Sequence, residues 1–311
     1  MGTAVVFPGQ GTQFAQMGLT WRATPHWEVV TRAERALGEP LAYLLLEATE
    51  DQLSRTREAQ LAVFLQSLMA WEAVLAAGAV IGDGPEPMAF AGHSLGQLTA
   101  LVASGALSLD DGIRLVARRA AATQAAADRR PGRMAALVGA DLHTAEAACA
   151  EVAGAWVAND NAPGQVVIGG TPDGVEAAGA RAQELGVRRV IALKVGGAFH
   201  TPLFAEARAA LEPVLAETHF VTPSAPIVSN VDASPHSDPA DWPGQLADHL
   251  VSPVRWRQSL ETLSRLGVDS LVEVGPGNVL AGLARRTVPG ITVHNVAEPG
   301  DAASLLTLEV C

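Results

Sequence analysis

The chain has 311 residues, 49% apolar and 17% charged, so it holds enough apolar material for a large core and does not read as disordered. A formal net charge of −12 argues against nucleic acid as a general partner, and the cations are nearly all arginine, Lys194 being the sole lysine. Two cysteines, Cys149 and Cys311, allow no disulfide framework or zinc spacing by themselves.

In chain order, "TAVVFPGQGTQ" reads as a short buried strand ending in a Gly/Pro turn. The opening "MGTAVVFPGQ" lacks the charged and then apolar layout of a secretory signal. Apolar residues recur at helical spacing to about residue 80, but no uninterrupted apolar run reaches about 18 residues, so no membrane span is expected. A soluble cytoplasmic protein is the expectation. "MAFAGHSLGQLTALVASGAL" reads as strand, tight turn and helix, and "LDDGIRLVARRAAATQAAAD" as a second helix with Asp110 and Asp111 at its start.

"DRRPGR" at 128–133 is a charged break, after which the pattern changes. The strand "RMAALVGA", the helix "LHTAEAACAEVAG", two strands in "AWVANDNAPGQVVIGG", the helix "TPDGVEAAGARAQELG" and the strand "VRRVIALKV" follow. That β-α-β-β-α-β order is the order of a ferredoxin-like unit. Alternating α/β elements resume in "PLFAEARAALEPVLAET", "APIVSNVD", "VRWRQSLETLSRLG", "VDSLVEVGPG" and "NVLAGLARRTV", so the unit reads as an insertion. Strands alternating with helices imply a mainly parallel sheet covered on both faces, with the active site beyond the carboxyl ends of its strands.

Gly92-His93-Ser94-Leu95-Gly96 is a G-x-S-x-G frame between an apolar strand and a helix. Such a turn exposes a serine nucleophile and aims the helix N-terminus at it; the plainer reading is a turn serine or helix cap. Of eight histidines, His200 in "VGGAFHTPLF" follows a glycine-rich turn and precedes a helix, a place for an exposed catalytic imidazole. A hydrolase of this frame needs an acid between serine and histidine in chain order, but Asp141 and Asp160 both fall in the insertion. A Ser-His dyad with another group orienting the ring is therefore expected. Arg118 and Arg119 lie on the second helix, and only one of them can face the site. A guanidinium there selects a dicarboxylic acyl group such as malonyl by a two-pronged bond; the plainer reading is a solvated face.

"FPGQGTQ" at 7–13, "GHSLGQ" at 92–97, "NAPGQVVIGG" at 161–170, "GAFHTPL" at 197–203, "SPVRW" at 252–256 and "EVGPGNVL" at 273–280 carry a resemblance across essentially the whole chain. The sequence resembles the malonyl-CoA:acyl-carrier-protein transacylases and the acyltransferase domains of polyketide and fatty acid synthases. The fold expected is a large α/β-hydrolase-like domain over 1–130 and 198–311, with a ferredoxin-like small subdomain over 131–197. The resemblance implies that Ser94 is acylated, that His200 is its base, and that Gln10 and the Leu95 N–H form the oxyanion hole. It also implies that the His249 carbonyl holds the His200 ring and that Arg119 takes the distal carboxylate. Gln165, Gln97 and His93 are expected at the substrate, and Phe199 favours malonyl over a branched unit. Most relatives carry Glu where this chain has Gln97, and position 249 is often Gln.

The resemblance implies ping-pong transfer from malonyl-CoA to an acyl carrier protein. CoA and phosphopantetheine thioesters are then substrates, no cofactor or metal is required, and the enzyme is monomeric. Docking of an acidic carrier is expected on Arg188, Arg189, Lys194, Arg255, Arg257, Arg285 or Arg286, each of which also reads as an ordinary solvated charge. Transfer of another acyl unit between carriers, thioester hydrolysis and a silent docking module are the alternatives.

Overall fold

The computed structural model describes residues 2–78 and 87–305, so Cys311 lies outside the described residues. Ten strands form there: β1 (Gly2–Phe7), β2 (Ala89–Gly92), β3 (Arg133–Val138), β4 (Ala155–Ala162), β5 (Gln165–Gly170), β6 (Arg189–Ala192), β7 (Ile227–Val228), β8 (Pro235–His236), β9 (Val268–Val274) and β10 (Thr292–Val296). They make two sheets, ordered β10-β9-β1-β2-β7-β8 and β4-β5-β3-β6.

The larger sheet is parallel except for β8, which pairs antiparallel with β7. Its strands bury both faces: Val5, Phe7 and Phe90 enter one apolar cluster, and Ala4, Val6, Ala89 and Ala91 enter another. The helix Thr56–Ala76 lies against the first face, where Trp71 stands edge-on to Phe7 at 6.1 Å and to Phe90 at 5.8 Å. Rings buried in this way contribute about 1.5–3 kcal/mol each and fix the two strands that lead into the site. By length and composition this helix is apolar enough to cross a membrane, but 83% of its most apolar stretch is buried inside the protein. Charged and amide residues such as Glu58 and Gln66 break its apolar run, which is why sequence reading passed over it.

The second sheet is antiparallel throughout. Successive side chains of β3 point to opposite faces. Ala135 and Leu137 pack with the helices Leu142–Ala150 and Pro172–Glu184, while Met134 and Ala136 pack with Val167 and Phe199 on the other face. Strand β4 is stitched to the rest of the chain through Val254: Asp160 N–H donates to its carbonyl and its N–H donates to Ala158 O, both at 2.9 Å.

Among the elements that depart from expectation are two strands. Strand β10 had no alternation strong enough to read, because only Val296 of its five residues is fully buried at the sheet edge. The run 187–195 yields only β6, an exposed edge strand, with the chain leaving the sheet before Lys194.

Candidate active site

The registers align the exits of neighbouring strands. Phe7 pairs with Gly92, so the chain leaves β1 toward Gln10 beside the place where β2 leads into Ser94. The turn is tight enough to demand glycine at two places. A Cβ on Gly96 would sit 2.1 Å from the Phe7 carbonyl oxygen, and one on Gly92 would sit 2.0 Å from the Gly96 carbonyl group. Ser94 itself takes φ +52°, a left-handed conformation that costs a side-chain-bearing residue about 1–3 kcal/mol and persists only where its surroundings impose it. The helix Gly96–Ala103 follows at once, and no acceptor among the described residues takes the Leu95 N–H at its amino end.

His200 meets the serine from the other side of the cleft, its Nε2 2.7 Å from Ser94 Oγ. Its Nδ1 lies 2.8 Å from the His249 carbonyl oxygen. A carbonyl only accepts, so Nδ1 carries the proton and Nε2 is free to accept from the serine. His200 also has a left-handed backbone, at φ +61°, and Thr201 Oγ1 braces its turn on the Ala198 carbonyl at 2.6 Å. The His249 ring stacks on His200 with centroids 4.9 Å apart.

The imidazole is not exposed as expected: only 5% of His200 reaches solvent. Burial, reinforced by the Arg119 charge and opposed by the His249 carbonyl, holds it down to about 3, so it stays neutral at physiological pH. Burial likewise keeps His249 well below the ordinary histidine range.

Of the two arginines, Arg119 faces the site and Arg118 is exposed. Arg119 is 7% exposed, and its Nη2 lies 3.5 Å from Ser94 Oγ. Nη1 donates to Gln60 Oε1, while Gln60 Nε2 donates to Thr123 Oγ1 at 3.0 Å. No carboxylate among the described residues pairs with Arg119, and burial pulls its guanidinium down to about 10, still protonated near neutrality. The charge is thus buried, oriented and without a counter-ion.

Gln10, His93, Ser94, Leu95, Arg119, Gln165, Phe199 and His200 all line one cleft of about 210 Å³ between the two sheets. His93 Nε2 lies 2.9 Å from Asn161 Oδ1. Phe199 rests on Phe204 with ring centroids 4.9 Å apart. Gln165 Oε1 accepts from Arg286. His249 contributes its carbonyl from behind the His200 ring.

Gln97 is not brought to the cleft. It is fully buried behind the turn, where its Oε1 accepts the Asn230 N–H at 2.8 Å, so its expected place at the substrate is corrected. Arg257 leaves the docking candidates too, because Asp160 and Glu261 occupy its guanidinium. Sequence reading missed Gln60, Asn159, Asn161 and Asn230. Gln60 lies in a buried helix that read as plain core, and only its amide among apolar neighbours hinted at a partner.

The acyl transferase domain model matches residues 4–306. The chain is 36% identical to the malonyl CoA-acyl carrier protein transacylase of Salmonella typhimurium over 98% of both chains. Among solved structures, the acyl-carrier-protein S-malonyltransferase of Burkholderia pseudomallei superposes with a TM-score of 0.92 at 36% identity, covering 99% of this chain and all of that one. A malonyl-transacylase in complex with a type II polyketide synthase acyl-carrier protein gives a TM-score of 0.92 at 33% identity, covering 99% of each chain.

Proposed function

The chain belongs to the acyl transferase domain family and is an acyltransferase; from that premise we propose that it moves a malonyl group from CoA to the phosphopantetheine thiol of an acyl carrier protein through an ester on Ser94. The observation that carries the acyl choice is the buried Arg119, a cation with no carboxylate partner beside the nucleophile. A neutral acyl group would leave that charge buried and unpaired, whereas a malonyl carboxylate supplies the bidentate acceptor. Phe199 crowds the same cleft and disfavours an α-branch.

His200 Nε2 takes the Ser94 Oγ proton as Oγ attacks the thioester carbonyl. The Leu95 N–H and Gln10 hold the oxyanion, one such donor being worth about 10²–10³ in rate. The tetrahedral adduct collapses, the C–S bond breaks, and CoA leaves as its thiol with the proton from His200. The carrier's thiol then gives its proton to His200 and attacks the ester, and Ser94 recovers its proton when the C–O bond breaks. The His249 carbonyl stabilises the transient imidazolium in the place of an aspartate. These side chains handle every proton and electron pair, so the thioesters are substrates and no cofactor is assigned.

For the architecture, we read residues 1–130 and 198–311 as an α/β-hydrolase-like domain and 131–197 as a ferredoxin-like subdomain. The strand order of the second sheet, with both its helices on one face, supports that reading. The carrier docks at the cleft edge formed by the hairpin around Gly164. Arg286 bonds Gln165 there, and Arg188 lies near Gly139, which donates to the Gly164 carbonyl at 2.8 Å.

The test is intact-protein mass spectrometry after mixing the enzyme with malonyl-, methylmalonyl- and acetyl-CoA together. A malonyl adduct that vanishes in Ser94→Ala and weakens about 10²-fold or more in Arg119→Ala is the expected result. An acetyl adduct indifferent to Arg119 would sink the carboxylate clamp. Rapid CoA release without an adduct would point to hydrolysis.

A further inference from the structure

Asn230 takes no part in the scheme above, yet it touches the nucleophile's backbone. It follows β7, the strand beside β2, and is fully buried. Its Oδ1 accepts the Ser94 N–H and its Nδ2 donates to the Gly92 carbonyl, both at 2.8 Å. Its own N–H donates to Gln97 Oε1 at 2.8 Å. One residue therefore ties the entry of the turn, its apex and the first turn of the following helix.

The need for it follows from the sheet. Pairing of β2 with β7 stops at Ala91 and Val228, so the ladder does not reach the Gly92 carbonyl from that side. Ser94, with its left-handed φ of +52°, has left the strand and has not entered the helix, so neither ladder serves its N–H. A carboxamide carries both an N–H donor group and an acceptor oxygen and serves both backbone groups at once. A carboxylate or an aliphatic side chain of similar size does not.

We propose that Asn230 is a positioning residue for the nucleophile: its carboxamide locks Ser94 in the strained turn that sets Oγ against His200, and Gln97 holds the Asn230 backbone in place. The clamp rests on the acyl-transfer reading only in taking Ser94 as the nucleophile. It also engages the Ser94 N–H, which leaves the Leu95 N–H as the free amide of the turn. Position 97 thereby acquires a role that an amide or carboxylate oxygen fills equally well, since only an acceptor is needed.

The test compares the full-length protein with Asn230→Ala. Two rates are read by intact mass: labelling of Ser94 by a fluorophosphonate, and formation of the malonyl ester. Both fall about 10²-fold, as expected for a nucleophile out of register, while the half-saturating malonyl-CoA concentration stays within about twofold. Labelling at the wild-type rate overturns the proposal, and so does a raised half-saturation with an unchanged limiting rate. Where circular dichroism shows that the alanine variant has not folded, Asn230→Asp carries the test. It keeps the acceptor for Ser94 but offers the Gly92 carbonyl no amide donor, so labelling falls several-fold, and wild-type labelling there overturns the clamp. The fluorophosphonate arm is independent of the acyl donor. A wild-type protein that labels but takes no malonyl group defeats the transfer reading, and the labelling rates of the Asn230 variants then decide the clamp by themselves.

Discussion

In the proposed reaction His200 serves as the base, and its neighbours keep it unprotonated for that role. Held near 3 by burial and by Arg119, it stays available at pH values where an ordinary histidine, near 6.5, is already charged. The ester-forming rate constant of the free enzyme is therefore expected to stay flat down to about pH 5, measured by rapid quench with malonyl-CoA. Replacing Arg119 with alanine removes a positive charge that disfavours the imidazolium, so the acid limb moves to higher pH; a limb that stays put or moves down refutes the coupling. A bound carboxylate neutralises Arg119 in the same sense. On the proposed scheme that neutralisation would raise the His200 pKa in the complex, as suits a group proposed to protonate the leaving thiol next. Folding carries the same signature: the unfolded chain binds this proton below about 6.5 and the native state only near 3, so the contribution of His200 to stability falls as pH drops through that window.

At the scale of elements, the turn between β2 and its helix is set by close backbone contact. Gly96→Ala puts a methyl group against the Phe7 carbonyl of β1, a backbone atom that cannot rotate away. A loss of about 1–3 kcal/mol or more is expected in urea unfolding, together with slower Ser94 labelling, because β1 also leads to Gln10. The cap of the helix Val279–Thr287 is a second such element. Glu273, wholly buried at the end of β9, accepts the Leu280 N–H at 3.0 Å and the Ala281 N–H at 2.8 Å. Burial pushes its carboxyl from 4.5 up to about 7, against those two bonds. The native state then holds a proton that the unfolded chain releases above 4.5, so the contribution of Glu273 falls as pH rises from there to about 7, opposing that of His200 where the two windows overlap. Glu273→Gln flattens that part of the stability profile; an unchanged slope assigns it to another group.

On the scale of the molecule, the cleft exists because two sheets meet, and a charged pair helps to join them. Arg257 Nη2 lies 2.9 Å from Asp160 Oδ2, whose side chain is only 3% exposed while that of Arg257 is 25% exposed. Arg257→Ala strands a buried carboxylate, and a loss of about 2 kcal/mol is expected after allowance for the partly exposed arginine. Burial raises the Asp160 pKa against the pull of Arg257, so the variant's deficit shrinks in acid, where the carboxyl protonates. A deficit that is constant with pH would assign the loss to packing.

What the sequence determined by itself was chemistry that is local in the chain. The G-x-S-x-G turn, the arginine pair one helix further on, the histidine after a glycine-rich turn and the alternation of strands with helices are all encoded within short windows, where steric and hydrogen-bonding rules act on neighbours. Choices between distant partners were settled only by folding. Arg119 rather than Arg118 faces the serine because helix phase is set by what the helix Leu109–Arg129 packs against. Gln97 lies behind the turn and Asn230 beside Ser94 because parallel pairing brings β7 alongside β2, 136 residues from asparagine to serine. The depressed basicity of His200 arises from burial between two sheets, a property that no window of sequence contains. Desolvation and long-range pairing depend on the three-dimensional neighbourhood, which is why the candidate groups that meet in the cleft were legible in the chain while their ionisation and their supporting contacts were not.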